Sequence, residues 1–569
     1  MNDVFSIVLR DVFSATLPET VLVVAAAVIF VGGTVRAGRN LWGALSIVSL
    51  AIASLILFSQ ASPGSTGGNE SQARVALYAA PLIFDNLARL IRIIALGSGF
   101  VLVLMSWKEV PEKQAADHQA CLLIVIAGLS LVGSANDLVA LFLSLELISI
   151  PTYILLYLPR HDEASQEAAM KYFLLSIFSS ALTLLGFSYL YGLTGTTNIS
   201  AILHTLQGSS RPPELASVAL ILIVAGLGTR ITLVPFHFYA PDVYQGAPTV
   251  VAALLAFVQK AAGFVALIRV LGFIVPAESE GLVPLAPTEQ VIFLFWFLAA
   301  ITMFLGNLMG LLQNNVKRLL AYSSIAHAGY MLIALAVTPA LGRNEAGPEG
   351  IEALLFYLVA YGAMTVGAFA VLSYLSSSIR RVDTLDDLAG LSQSHPGIAL
   401  MMVLFLFSLI GIPLTAGFAG KLLIFFGAMG VSGNYAEWFR VLAVLGVINA
   451  AIAGWYYLKI VSAMYLRTGL RPLENQRSWP GLATLLVCAL LTICLSIPPA
   501  SDWLLSTARQ AAQTGSAAKQ PKDRENVKPV AAWGPQTSNR PRQRPAPPKN
   551  PCLDVSSRSR RILRSGISD

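Results

Sequence analysis

GLGTRITLVPFHFYAPDVYQGAPTVVAALLAFVQKAAGF, residues 226–264, decides how this chain is read. It begins inside an apolar run that contains Arg230. Pro235 then removes a backbone donor, so a helix must break or kink there. His237 follows, then the turn Pro241-Asp242-Val243-Tyr244, then a second apolar run with Lys260 near its middle. A cation buried in an apolar span marks function by default. Non-helical backbone at membrane depth survives only where protein or a wet cavity solvates it. Two adjacent spans with one cation each, joined across a broken helix, are the pattern of an ion or substrate site in a transporter.

Outward from this stretch the chain has the same character. Of 569 residues, 55% are hydrophobic and 12% charged, against roughly 25% charged in a soluble domain. Apolar runs of about 18 residues or more recur along most of its length, which reads as an all-α polytopic membrane protein. A β-barrel would present short alternating segments instead. The first residues carry acids and no basic cluster, so no cleavable signal is expected and the first span serves for targeting. Fourteen spans are predicted, near 17–37, 41–59, 84–107, 119–136, 138–158, 168–192, 216–240, 247–272, 290–311, 317–338, 351–376, 398–430, 440–466 and 479–499. Asp85, Arg89 and Arg92 crowd the start of the third. Gly411, Pro413, Gly417 and Gly420 interrupt the twelfth, which is long enough to be two half-helices.

Lys and Arg in short loops set the orientation. Arg36, Arg39, Lys108, Lys113, Arg160, Lys171, Lys317, Arg318, Arg380, Arg381, Arg467, Arg471 and Arg477 fall on one side, which is expected to be cytoplasmic. The opposite loops, with Arg10, Arg74, Arg211, Arg269, Arg343 and Arg440, are poorer. Both termini then face outward. Broken spans seven and twelve lie five apart, an odd offset that inverts the second unit relative to the first. The expected organisation is residues 1–116 as helices 1–3, 117–275 as a first repeat (helices 4–8), 288–467 as an inverted second repeat (helices 9–13), 478–503 as helix 14, and 507–569 as a disordered basic tail. The tail, rich in Pro, Gln, Ala and Lys/Arg, cannot bury a core.

The net charge of +7 belongs to that tail. Thirteen of the 38 Lys/Arg and four of the 31 Asp/Glu lie from Thr507 onward, leaving 25 basic against 27 acidic residues in the rest. A nucleic-acid-binding body is therefore not supported. Cys121, Cys488, Cys494 and Cys552 show no CxxC spacing, so neither an iron–sulfur cluster nor a zinc site is expected, and those within the spans read as small hydrophobes. Neither GxGxxG after a strand nor GxxxxGK[ST] is present. The chain is expected to hold no cofactor and no metal, and its energy source lies elsewhere.

The chemistry sits in the charges near mid-span. Glu146 is the one charge between Asp137 and Arg160; Arg230, Lys260, His327 and Lys421 lie in spans seven, eight, ten and twelve. A charge at a helix centre costs about 2.5–3.5 kcal/mol on insertion scales, so five on five helices point to pairing or transport. Burial makes the charged form of a carboxylate, lysine or histidine costly, so such groups exchange protons more readily near neutral pH. A row of them bridged by water passes protons stepwise. Plainer roles stand beside this one: a static ion pair for Glu146, and similarly for the two lysines; a hydrogen bond to Ser323, Ser324 or Tyr322 for His327; a cap on the broken helix for His237; a turn former for Asp242 and Tyr244.

VPFHFYAPDVYQGAPT, KAAGF, NNVKRLLAYSSIAHAGYM, EAAMKYFLLSIFSSALTLLGFSYLYG and GIPLTAGFAGK resemble subunit N of bacterial NADH:quinone oxidoreductase, respiratory complex I, whose mitochondrial counterpart is NADH dehydrogenase subunit 2. The resemblance runs from the first span to about residue 500. Subunits L and M, and Mrp-type antiporters, are less similar: they typically carry a PDAH- or PDAY-like turn at Pro241-Asp242-Val243-Tyr244. The resemblance implies an antiporter-like subunit of the membrane arm, with fourteen helices and broken helices 7 and 12, moving protons as quinone is reduced at a distance. It implies Glu146 as the helix-5 glutamate, Lys260 as the helix-8 lysine, His327 on the central polar axis and Lys421 at the outward-connected site. Pro235, His237, Asp242 and Pro413 would support the helix breaks. NADH, FMN, iron–sulfur clusters and quinone are expected in partner subunits. Partners would be neighbouring antiporter-like and small membrane subunits and the lipid bilayer, with no nucleic acid.

Two departures stand out. The family's helix-7 lysine is replaced by Arg230, which stays protonated and cannot exchange a proton as lysine does. The basic tail has no counterpart in the resemblance. Two other readings therefore stay open: a stand-alone or Mrp-like cation/proton antiporter subunit, and a structural paralogue whose pumping is impaired by Arg230.

Overall fold

A computed structural model describes residues 12–36, 38–60, 81–158, 162–202, 214–271, 288–338, 350–376, 381–468 and 478–516. Among these, the helices are α1 (Leu17–Val35), α2 (Arg39–Ser59), α3 (Asn86–Ser106), α4 (Ala115–Ser134), α5 (Leu138–Tyr157), α6 (Glu163–Thr194), α7a (Glu214–Ile231) and α7b (Ala240–Gly246). α8 runs through three abutting pieces, Thr249–Leu254, Leu255–Gln259 and Lys260–Leu271. Then come α9 (Thr288–Leu311), α10 (Val316–Val337), α11 (Gly350–Leu375), α12a (Pro396–Ile410), α12b (Ala416–Met429), α13 (Ala436–Leu466), α14 (Trp479–Cys494) and α15 (Ala500–Ser516). Eleven are long and apolar enough to cross a membrane unaided. Three further crossings come from α7a with α7b, α12a with α12b, and α14, which gives the fourteen expected among the described residues.

α8 is buried along its whole length, and α10 and α11 nearly so. α8 packs on α4, α7a and α11, while α10 packs on α9, α11, α12b and α13. α1, α2, α6 and α13 turn large apolar side chains outward, such as Leu55, Leu174, Phe178 and Trp455. That arrangement is right for lipid or a neighbouring subunit and wrong for water. Close approach of α9 and α10 is reciprocal: a Cβ on Gly306 would meet Ala326 N at 2.7 Å, and one on Gly329 would meet Met303 N at 2.7 Å. Small residues let membrane helices touch backbone to backbone.

The two five-helix units α4–α8 and α9–α13 repeat one another in detail. Asp137 caps α5 and bridges Asn198 after α6; Asn315 caps α10 and bridges Thr384 after α11. Among the described residues two non-glycines have positive φ: Thr232 (65°) at the α7 break and Leu414 (69°) at the α12 break. That region is sparsely populated by L-residues and disfavours a β-branched side chain most. Such outliers gather where a site over-determines the backbone.

Several details differ from expectation. Asp85 and Arg92, which crowd the start of the third span, are partnered: Asp85 caps α3 and takes Arg269 in a bidentate pair at 2.7 Å, and Arg92 pairs with Glu19 of α1 at 2.8 Å. Lys317, assigned to a loop, is buried and pairs with Asp383 at 3.0 Å. Cys494 is exposed where a buried hydrophobe was expected. The tail boundary at 507 is wrong, because α15 continues to Ser516. It packs Leu504, Ala508, Ala511 and Ala512 against α3 and α11, and Arg509 reaches the buried Glu352 at 3.1 Å. Alternating small and polar residues after Pro499 hide this apolar stripe from a composition reading. The rest of the tail lies outside the described residues, as do Arg10, Arg74, Arg160, Arg211, Arg343, Arg380, Arg471 and Arg477.

Candidate functional site

The helices bring the five mid-span residues to a polar interior in two differently built groups. In the first, Arg230 at the end of α7a reaches α5 and α6. Its Nη2 donates to Glu146 Oε1 at 2.8 Å and to Ser180 Oγ at 3.3 Å; its Nη1 donates to Ser149 Oγ at 2.5 Å and to the Leu145 carbonyl at 3.2 Å. Ser180 Oγ donates in turn to Glu146 Oε1 at 2.5 Å. The guanidinium side chain is 5% exposed and the carboxylate side chain 20%. A planar fork with five donors suits this divided coordination, which an ammonium on a shorter reach would not reproduce.

A cavity of about 10 Å³ lies beside the pair, lined by Arg230, Ser179, Thr229, Tyr172, Tyr239 and Gln259 among others. This is about the room one water needs, and the lining supplies the polar partners it requires. Gln259 donates to Tyr172 Oη at 2.6 Å and precedes Lys260. The segment Leu255–Gln259 is a π-helical turn, the kind of bulge that re-aims side chains at functional sites.

The second group is built on Lys260, His327 and Lys421, which are 0%, 1% and 4% exposed. Lys260 Nζ donates to the Ser324 carbonyl on α10 and faces the Tyr361 ring at 5.9 Å. Tyr361 Oη donates to Ser324 Oγ at 2.7 Å. His327 contacts Tyr357 Oη through Nδ1 at 2.5 Å and Tyr457 Oη through Nε2 at 3.2 Å. Lys421 on α12b donates to the Leu409 and Ile410 carbonyls at 2.8 and 2.9 Å and sits 4.8 Å over the Tyr330 ring. These carbonyls end α12a, the negative end of its dipole, and favour a cation. Among the described residues neither lysine has a carboxylate within ion-pair distance.

The structure thus corrects several expected roles. His327 bonds to tyrosines of α11 and α13, not to the serines or tyrosine of its own helix. His237 lies in the α7 break beside Pro235, with its Nδ1 buried and without a hydrogen-bond partner. Pro235 and Pro413 fall between the half-helices of α7 and α12. Asp242 does more than form a turn, since it takes Lys171 of α6 at 2.5 Å and Arg318 of α10 at 2.7 Å, tying the two repeats together. Ser149, Ser180, Gln259 and the tyrosines 330, 357, 361 and 457 were not singled out in the sequence. Tyrosines at helical spacing in α10 and α11 are the one signal that could have found part of the set. Among the described residues no group of three or more His, Cys, Asp or Glu is placed to hold a metal ion.

Fourteen crossings, two broken helices in repeated units and buried lysines between them define an antiporter-like membrane subunit. Residues 135–451 match the family model described as NADH:quinone oxidoreductase/Mrp antiporter, TM. Over 505 residues the chain is 36% identical to NADH-quinone oxidoreductase subunit N 1 of Solibacter usitatus, covering 87% of this chain and 96% of that one. It is 34% identical over 508 residues to subunit N 2 of Rhizobium meliloti, covering 88% and 98%. A chain of respiratory complex I from Thermus thermophilus with bound aureothin matches at a TM-score of 0.69 and 31% identity, over 86% of this chain and 99% of that one. A chain of the Mrp complex from Dietzia sp. shares the fold at a TM-score of 0.69 with 18% identity, over 89% and 97%. The chain belongs to the subunit N family of NADH-quinone oxidoreductases.

Proposed function

We propose that this chain moves protons across a bacterial inner membrane as one unit of a complex I-type enzyme, driven by quinone reduction in other subunits. Residues 117–275 and 288–467 act as the two inverted units, with residues 1–116 and 478–503 flanking them. Both termini face the periplasm. Neighbouring antiporter-like and small membrane subunits cover part of the outward apolar faces, and NADH, FMN, iron–sulfur clusters and quinone reside in partners.

The observation that carries this reading is the contrast between one fixed, paired cation and two lysines held by carbonyls. Arg230 keeps its proton, so its contribution is electrostatic. When Glu146 and Arg230 separate, the positive field of Arg230 is no longer cancelled and falls on Lys260. The cation on Lys260 is then disfavoured, and its proton leaves toward His327. His327 passes it between Tyr357 and Tyr457 toward Lys421. Lys421, released from the α12a carbonyls, delivers it to the outer side. Re-pairing of Glu146 with Arg230 allows Lys260 to reload.

The test is NADH-driven proton uptake by the whole complex in proteoliposomes. Lys260→Met is expected to lower the protons moved per electron while the complex still assembles. An unchanged ratio would refute a relay through Lys260.

A further inference from the structure

We propose that a second site in this chain binds the phosphate of an anionic membrane lipid. A cavity of about 600 Å³ lies where α2, α4, α8 and α14 start and α3 and α11 end. Alternation of the spans puts all six of those ends on one side of the membrane. Its lining includes Arg39, Lys108, Arg381, His118, Glu109 and Ser373. Volumes of roughly 300–1,000 Å³ are those of small-molecule sites.

Its lining carries more basic than acidic side chains among the described residues. Among the described residues Glu109 is the one carboxylate of its lining, and both oxygens are engaged: Oε1 accepts from Thr249 N at 2.5 Å and Oε2 from Ser373 Oγ at 2.6 Å. Arg381 gives one nitrogen to the exposed Asp162 at 2.7 Å, which leaves its other donors. Arg39 has a buried Nε without a hydrogen-bond partner. His118 is fully buried, and neither ring nitrogen has a partner. An unmet buried polar group costs free energy in proportion to its desolvation. An arginine with an unpartnered buried Nε and an unpartnered buried imidazole beside one open space call for an acceptor-rich anion, which phosphate supplies.

Free phosphate and a lipid phosphodiester share that chemistry. The position favours the lipid, because basic pockets between transmembrane helices at a membrane surface suit acidic headgroups. None of these residues serves the proton path proposed above, so this site and that reading stand or fall separately.

The test uses the intact complex in phosphatidylcholine vesicles that contain phosphatidylglycerol with a photoactivatable headgroup. Crosslinked peptides are mapped by mass spectrometry. Peptides holding residues 105–118 and 478–484 are expected to be labelled in the wild type, and about tenfold less in Arg39→Gln, the loss of one charge-assisted contact. Labelling of α6 and α13 serves as the control for an intact fold. His118→Gln, which keeps a polar group of similar size, is the second variant and is expected to reduce labelling in the same direction. Excess inorganic phosphate should not suppress the wild-type labelling. No labelling in the wild type, or equal labelling in both variants, would overturn the site. Suppression by inorganic phosphate would overturn the lipid as its occupant.

Discussion

At the α7 break the carbonyl of Thr229, which accepts the backbone N–H of Thr232 at 3.1 Å, also accepts a hydrogen bond from Tyr239 Oη at 2.8 Å. At the α12 break the freed carbonyls of Leu409 and Ile410 accept from Lys421 Nζ. Tyr239 lies seven residues after Thr232, and Lys421 seven residues after Leu414, the two positive-φ positions. The repeats therefore use one backbone device with two different donors. A neutral hydroxyl satisfies the carbonyl and carries no transferable charge at this site. An ammonium satisfies it and remains a proton that can leave. The cation of the first break has been displaced to Arg230, where Glu146 neutralises it. The same offset recurs on the capped helices. Glu146 lies nine residues after the cap Asp137, and Ser324 nine after the cap Asn315. The first unit carries a carboxylate at this position and the second a serine, whose carbonyl takes Lys260. The first unit pairs Arg230 with a carboxylate; in the second, Lys421 meets carbonyl dipoles and an aromatic ring and has no carboxylate partner among the described residues.

This contrast can be broken from either side. Lys421→Gln removes the ammonium from the second break and, in the proposed path, its transferable proton. It is expected to cut NADH-driven proton uptake by about tenfold or more, in line with the worth of charged hydrogen bonds, with NADH oxidation in uncoupled membranes much less affected. Glu146→Gln leaves Arg230 buried without its carboxylate, a loss of about 3 kcal/mol or more for a broken buried pair. A lower thermal midpoint of the assembled complex, together with lost coupling, is the expected outcome. An unchanged midpoint would mean that the serines and the Leu145 carbonyl suffice. The smallest effect belongs to Tyr239→Phe, which forfeits one neutral hydrogen bond, about 1 kcal/mol. It is expected to lower the midpoint slightly and leave protons per electron unchanged. A large pumping defect in Tyr239→Phe would erase the distinction between the breaks.

Much of this was legible in the sequence, because a bilayer imposes a local rule. Each span must be long, apolar and helical, so the fourteen crossings and the glycine and proline interruptions at α7 and α12 could be read directly. The mid-span charges were equally visible, since nothing near them in sequence neutralises them. Their partners were not. Tyr357 and Tyr457 meet His327 from helices 30 and 130 residues away, and a tyrosine in an apolar span looks like any core aromatic. The π-turn before Lys260 has no proline or glycine to announce it. Glu19 pairs with Arg92 from 73 residues away, and nothing near either residue in the sequence announces it. Lys317 read as a loop cation because it borders a polar turn, yet packing closes over it. Long-range packing decides these cases, and a single sequence does not contain it.

In the proposed mechanism Arg230 acts through its field and not by releasing a proton. The most direct test is the proton-to-electron ratio of the purified complex in proteoliposomes, wild type against Arg230→Lys. Equal ratios are predicted, because either cation can pair with Glu146 and bias Lys260. A wild-type ratio that is lower and rises with lysine would contradict this, and would make the chain a proton pump with its helix-7 site disabled.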